Sequence, residues 1–280
     1  MNAFFYHLRP WQWYKNVLVF LPLFFGGYFF DTSSFLKTLF AFVLLCMLSS
    51  GNYMLNDTFD WKRDRYNKEK KRKMSRFALA SSGTTLAVLS LFLSTQFFPL
   101  LFSGILFLLF ILSFFYSFFL KHLLFLDVLL IAVNFVLRAV AGAFVFVKGA
   151  QPYIWISPWL IICTFFLALF LALGKRSTEL TTQHQRFRPV LQYYTPELTK
   201  FLLMTITACL IMSYTLYSFL GEQPEMIFTL PFALYVIFSY LHFIFQNNPL
   251  TEKPYLLFQK PSFLSGIFLW IFVSFLILYF

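Results

Sequence analysis

The feature that most constrains this chain is the recurrence of apolar runs close to twenty residues long. Nine can be marked, at approximately 17–30, 36–56, 77–96, 99–119, 124–147, 153–174, 200–220, 226–246 and 263–280. A helix of about 20 apolar residues crosses the roughly 30 Å hydrocarbon layer of a bilayer. Charged residues make up only 12% of the chain and mean hydropathy is +0.73, against a charged fraction of about 25% in soluble domains. A transmembrane barrel would instead show alternating segments of about 10 residues. The sequence therefore predicts an all-α, polytopic integral-membrane bundle of about nine helices. No linker divides it, so residues 1–280 are expected to form one domain.

The positive charges set the expected orientation. Of 22 Lys and Arg, all but Lys37, Arg138 and Lys148 fall before the first run or after the even-numbered ones, and nine of them lie between Lys62 and Arg76. Positive loops stay on the cytoplasmic side, so the N-terminus is expected in the cytoplasm, in a bacterial inner membrane, with the functional face toward the cytosol. The net charge of +11 then reflects topology and an anionic leaflet or substrate, with no nucleic-acid partner. The opening "MNAFFYHLRPWQWYKN" reads as an interfacial segment, its Trp and Tyr suited to the headgroup layer. Cys46, Cys163 and Cys209 lie inside apolar runs without paired spacing, and the four histidines share no metal-ligand spacing.

At the end of the second run stands "NDTFDWKRDR", with Asn56, Asp57, Asp60 and Asp64. If the helix continues, offsets of three and four place all three carboxylates on one face. One explanation is a solvated face in which they pair with Lys62, Arg63 and Arg65. The sharper one is a site for Mg²⁺, a hard cation that takes one or two carboxylates and completes its shell with water and substrate phosphates. An aspartate ladder at the mouth of a bundle suits loss of diphosphate from carbon, the metal stabilising the departing charge. On this reading Asp57, Asp60 and Asp64 are the metal ligands and Asn56 positions them.

The motif resembles the NDxxDxxxD signature of the UbiA-type intramembrane prenyltransferase superfamily, as does its place after the second of nine spans. Quinone-pathway members carry a second acidic motif after the sixth span. Here that loop reads "LALGKRSTELTTQHQRFRPVLQYY" and has no aspartate. "GKRSTEL", with "RPWQWYKNVLVFLPL" and "LDVLLIAVNFVLRAVAGAF", is similar to the decaprenyl-phosphate phosphoribosyltransferase branch. That resemblance implies transfer of 5-phosphoribose from phosphoribosyl diphosphate (PRPP) to a polyprenyl phosphate, with Mg²⁺ as cofactor. A prenyltransferase acting on an aromatic or quinone-precursor acceptor is the alternative, and a cation or lipid transporter the second alternative.

Both transfers expel diphosphate from a carbon able to bear positive charge, so the same acidic device serves either. A lipid-phosphate nucleophile additionally requires cations. Lys175 and Arg176 are the expected phosphate ligands, with Glu179 orienting them or contacting the ribose, although Lys175 and Glu179, four apart, also make an ordinary helix-surface pair. Arg138 lies within a span, a costly place unless it faces the interior. With Asp127 and Asn134 it forms a polar stripe, either a structural network or part of the cavity. Tyr116 and Lys121 are placed at the cytosolic edge, and Lys15 is a candidate for lipid-phosphate docking beside Arg9. The branch continues past the aspartates with His-Pro and Arg-Pro, where this chain has Asn67-Lys68 and Lys73-Met74. Lys70 and Lys73 are the candidates to supply phosphate contacts there.

Overall fold

The computed structural model describes residues 3–61, 74–145, 153–181, 189–221, 223–246, 248, 251 and 254–280. Among these the regular structure is entirely helical: α1 Ala3–Leu8, α2 Leu21–Phe25, α3 Thr32–Phe59, α4 Arg76–Phe97, α5 Leu100–Phe118, α6 Leu126–Ala143, α7 Pro158–Thr181, α8 Pro196–Leu220, α9 Leu230–Phe245 and α10 Pro261–Tyr279. Short 3-10 helices join several of them. Eight of these segments are long and apolar enough to cross a membrane. The first expected span takes another form, a 3-10 helix over Pro10–Phe20 running into the five-residue α2. Pro10, Pro22 and the Gly26-Gly27 turn explain why, because proline within a helix removes a backbone donor and clashes with the preceding turn.

The chain divides into two compact units, residues 1–118 with 137–155, and residues 119–136 with 156–280. In the first, α3 and α4 cross where two glycines meet. A Cβ on Gly51 would lie 2.8 Å from the Gly83 carbonyl oxygen, and one on Gly83 would lie 3.0 Å from that of Gly51. Small residues of this kind let membrane helices approach closely enough for dispersion and polar contacts to hold them. Ser90 then donates across the interface to the Leu44 carbonyl at 2.8 Å. The apolar core gathers Val19, Leu23, Leu44, Leu45, Leu48, Phe102, Leu106 and Ala141.

In the second unit α7 packs against α8 and α9. Its core holds Val128, Ala132, Leu169, Phe170, Leu173, Leu203 and Tyr240, with Tyr240 edge-on to Phe170 at 5.1 Å. The start of α8 is fixed by Thr195, whose hydroxyl accepts from the Leu198 amide at 3.1 Å, and by Pro196 in the first turn. Large apolar side chains such as Phe92, Leu100, Phe201 and Phe268 remain exposed, as lipid-facing surfaces require.

Candidate active site

Three polar clusters stand out against this apolar background, two in the first unit and one in the second. In the first unit, the last turns of α3 carry Asn56 and Asp57, and Asp60 closes the helix with its amide on the Asn56 carbonyl at 2.9 Å. The helix stops at Phe59, so the shared face is described only as far as Asp60. Asp64, Lys70 and Lys73, together with Arg186 and Arg188 of the later loop, lie outside the described residues.

Asp57 is buried, and both its oxygens are engaged from the N-terminal segment. His7 Nδ1 lies 3.0 Å from Oδ2, and an Arg9 Nη donates to Oδ1 at 2.5 Å. The Arg9 backbone is left-handed, φ 52° and ψ 57°, a conformation L-residues other than glycine adopt at a cost. That turn ends α1 and brings His7 and Arg9 to the same carboxylate. The Arg9 guanidinium also lies over the Tyr53 ring, 5.1 Å from its centroid, one helical turn before Asp57.

About two to three turns earlier in α3 the same unit holds a second polar centre, around Asn16. Arg138 Nε donates to Asn16 Oδ1 at 2.8 Å, Ser49 Oγ donates to the same oxygen at 3.2 Å, and Asn16 Nδ2 reaches Cys46 Sγ at 3.3 Å. Lys15 is half-buried beside it. Burial first, then the positive charges of Arg138 and Arg9, draw its ammonium down to about 7.

In the second unit, Asp127 is fully buried in the first turn of α6. Arg176 Nε donates to its Oδ2 at 2.7 Å and the Tyr194 hydroxyl to its Oδ1 at 2.7 Å. Arg176 also donates through Nη1 to Glu179 Oε2 at 2.7 Å. Lys175 meets the other Glu179 oxygen at 3.7 Å, with 42% of its side chain exposed. Burial, then the Asp127 charge, push the Tyr194 phenol up, keeping it a donor. Thr178 and Thr251 join hydroxyls at 2.5 Å one turn away.

The sequence had grouped Arg176 with the phosphate ligands; its guanidinium lies on two carboxylates, and Lys175 is the exposed cation. The members of the expected stripe along α6 have these partners. Asp127 bonds Arg176 and Tyr194, Asn134 donates to the Leu130 carbonyl of its own helix at 2.8 Å, and Arg138 bonds Asn16. Tyr116 and Lys121 are half-buried near the end of α5 and just beyond it. His7, Asn16 and Tyr194 escaped sequence reading. Tyr194 carried a usable hint as a polar aromatic closing the "GKRSTEL" loop, whereas a contact between His7 and Asp57, fifty residues apart, leaves no local pattern.

Asp57 and Asp60, three apart at a helix end, are hard oxygen donors, and Asn56 adds an amide oxygen. That donor set fits Mg²⁺ supplemented by water and phosphate oxygens. Among the described residues no three His, Cys, Asp or Glu gather into a metal cluster.

A helical membrane bundle with an NDxxD sequence at the end of a spanning helix defines a class, and the profile of the UbiA prenyltransferase family matches residues 19–272. The chain belongs to that family and is a multi-pass membrane enzyme of its superfamily. Among its relatives is the decaprenyl-phosphate phosphoribosyltransferase of Corynebacterium glutamicum, 30% identical over 224 residues, 76% of this chain and 66% of that one. The chain thus spans just under two thirds of that relative's length. The enzyme of the same name from Mycolicibacterium smegmatis is 29% identical over 237 residues, 80% of this chain and 72% of the other. A UbiA homolog from Archaeoglobus fulgidus bound to DMAPP and Mg²⁺ shares the fold, with TM-score 0.70 over 99% of both chains at 17% identity.

Proposed function

We propose that this protein transfers 5-phosphoribose from PRPP to a polyprenyl phosphate, releasing diphosphate, with residues 1–280 acting as one catalytic domain. The observation that carries the reading is the make-up of the cluster in the second unit. Where a quinone-pathway enzyme has a second acidic motif, this chain presents Lys175 at the surface and Arg176 locked beneath it. The names of the relatives from C. glutamicum and M. smegmatis support the same reaction.

In the reaction, the bond from the anomeric carbon to the diphosphate oxygen breaks and its electron pair leaves with diphosphate. An oxygen of the lipid phosphate forms the new bond. That oxygen is already ionised, so no side chain has to remove a proton. Asp57 and Asp60, with Asp64, would hold Mg²⁺, which neutralises charge on the departing diphosphate when bound. His7 and Arg9 fix the Asp57 carboxylate, and Asn56 adds a polar contact beside it. Lys175 contacts phosphate, with Lys121, Tyr116, Lys70 and Lys73 as further contacts. Arg176 and Tyr194 act through Asp127 and Glu179, holding the loop in register. In this reading the acidic end of α3 faces the cytoplasm of a bacterial inner membrane, which the distribution of Lys and Arg supports.

One observation favours a second reading. The A. fulgidus homologs that share the fold are bound to DMAPP or GPP with Mg²⁺, which supports a prenyl diphosphate donor. Incubation of the purified protein with labelled PRPP, Mg²⁺ and a polyprenyl phosphate separates the two. Labelled lipid is the expected product; its absence from a folded preparation that consumes a prenyl diphosphate refutes the proposal.

A further inference from the structure

The proposed reaction makes Asp57 a metal ligand, yet both its oxygens already carry a partner. An Arg9 Nη donates to Oδ1 at 2.5 Å, and His7 Nδ1 lies 3.0 Å from Oδ2. The two contacts differ in kind. Arg9 brings a permanent positive charge to Oδ1, as a metal ion on that oxygen would. A dication held by Oδ1 at about 2.1 Å would lie within about 5 Å of the guanidinium nitrogen. Two cations that close repel, the more so where water is scarce, and Asp57 is buried. Arg9 and a metal therefore compete for one oxygen, whereas His7 can keep the other.

The chain around Arg9 is arranged both to hold it there and to let it go. Arg9 is left-handed, φ 52° and ψ 57°, although Pro10 follows it, and the residue before a proline favours extended backbone. A residue other than glycine keeps such a conformation only where its surroundings impose it. On either side the segment is pinned to one side chain of α3. Ser50 Oγ donates to the Leu8 carbonyl at 2.8 Å and accepts from Trp13 Nε1 at 3.0 Å, so losing the Asp57 contact does not release the segment. The Arg9 side chain is 26% exposed, which leaves it a path to water. Its guanidinium already lies over the Tyr53 ring, 5.1 Å from the centroid, and that cation–π contact gives it a resting place one turn before Asp57.

We propose that Arg9 is an internal counter-ion for Asp57, a latch that holds the carboxylate until a divalent cation arrives and then yields Oδ1, with His7 keeping Oδ2 throughout. The inference rests on Asp57 being a metal ligand and on nothing about the sugar donor. An Arg9 that only positioned Asp57 for the metal would have the opposite signature. Removing a competitor strengthens metal binding, whereas removing a positioning group weakens it.

The test reads binding, not turnover. Detergent-purified full-length protein, stripped of divalent ions and without substrate, is titrated with Mn²⁺ as a stand-in for Mg²⁺, and free Mn²⁺ is followed by electron paramagnetic resonance. Arg9→Gln should bind the cation about tenfold or more tighter than wild type, the scale of a competing charge-assisted contact, and Asp57→Asn should abolish binding. Metal-free Arg9→Gln should also unfold at a lower temperature than wild type, and Mn²⁺ should raise its midpoint by more than it raises that of wild type. Should Arg9→Gln fold poorly, the wild type decides: phenylglyoxal modification of Arg9, located by mass spectrometry, should quicken when Mg²⁺ is added. Equal or weaker binding by folded Arg9→Gln, or Arg9 reactivity unmoved or slowed by saturating Mg²⁺, overturns the latch and leaves Asp57 a metal ligand. Binding that survives Asp57→Asn, or none by wild type and Arg9→Gln alike at millimolar Mn²⁺, overturns both.

Discussion

The polar clusters around Asp127 and Lys15 use similar residues with opposite bookkeeping. Around Asp127, two carboxylates face two cations and a phenol donor, and Arg176 is spread across both acids. Around Lys15 the recorded charges are those of Arg138 and Arg9, both positive, and Arg9 shares Asp57 with His7. A balanced cluster is complete without a ligand and holds helices in register. Burial and like charge instead hold the Lys15 ammonium below its usual range, so the two clusters should respond oppositely to loss of one member.

The largest effect should come from unbalancing the complete cluster. Asp127→Ala strands Arg176, and removing one partner of a buried pair costs about 3–5 kcal/mol; thermal unfolding in detergent should show a correspondingly lower midpoint, and an unchanged midpoint would break the contrast. Next is Asp60→Asn, at a half-buried helix end. Turnover should fall at least about 100-fold, as when a preorganised electrostatic contact is lost, while stability moves by about 0.5 kcal/mol or less. Tyr194→Phe removes one hydrogen bond to a charged group, about 1.5–3 kcal/mol, and should lower stability with little change in the KM for the sugar donor.

A pH dependence sharpens the other side of the comparison. Burial and the neighbouring positive charges draw Lys15 down to about 7, so between that pH and the ordinary lysine range the unfolded chain binds the extra proton. Thermal stability should therefore rise with pH across that window, and Lys15→Met should flatten the rise. The smallest stability effect belongs to Lys175→Ala. Lys175 is half-exposed and its 3.7 Å contact with Glu179 is long, worth a few tenths of a kcal/mol as a helix-surface pair, so denaturation should barely register the change while the KM for PRPP rises.

Much of this was legible in the sequence, for physical reasons. Hydrocarbon thickness writes itself into run length, so eight spans can be read directly, and the acidic end of α3 follows from helical offsets. The departure at residues 10–25 was announced by Pro10 and Pro22 but masked by the apolar character around them. Polar partners proved harder to read. Asp127, Asn134 and Arg138 share one helix face, but periodicity does not say that Asp127 meets Arg176 and Tyr194 or that Arg138 meets Asn16. His7 on Asp57, Asn16 under Arg138 and Tyr194 on Asp127 are long-range pairings fixed by packing, which periodicity does not encode.

The central claim is that a phosphoribosyl group, not a prenyl chain, is what this enzyme moves. The most direct test offers both donors at once, PRPP and a prenyl diphosphate, with a polyprenyl phosphate and an aromatic acceptor present together, and reads the products by mass spectrometry. The account requires the lipid phosphate to gain the mass of one phosphoribosyl group in a Mg²⁺-dependent manner, the aromatic acceptor remaining unmodified. An unmodified lipid phosphate together with a prenylated aromatic product would contradict it.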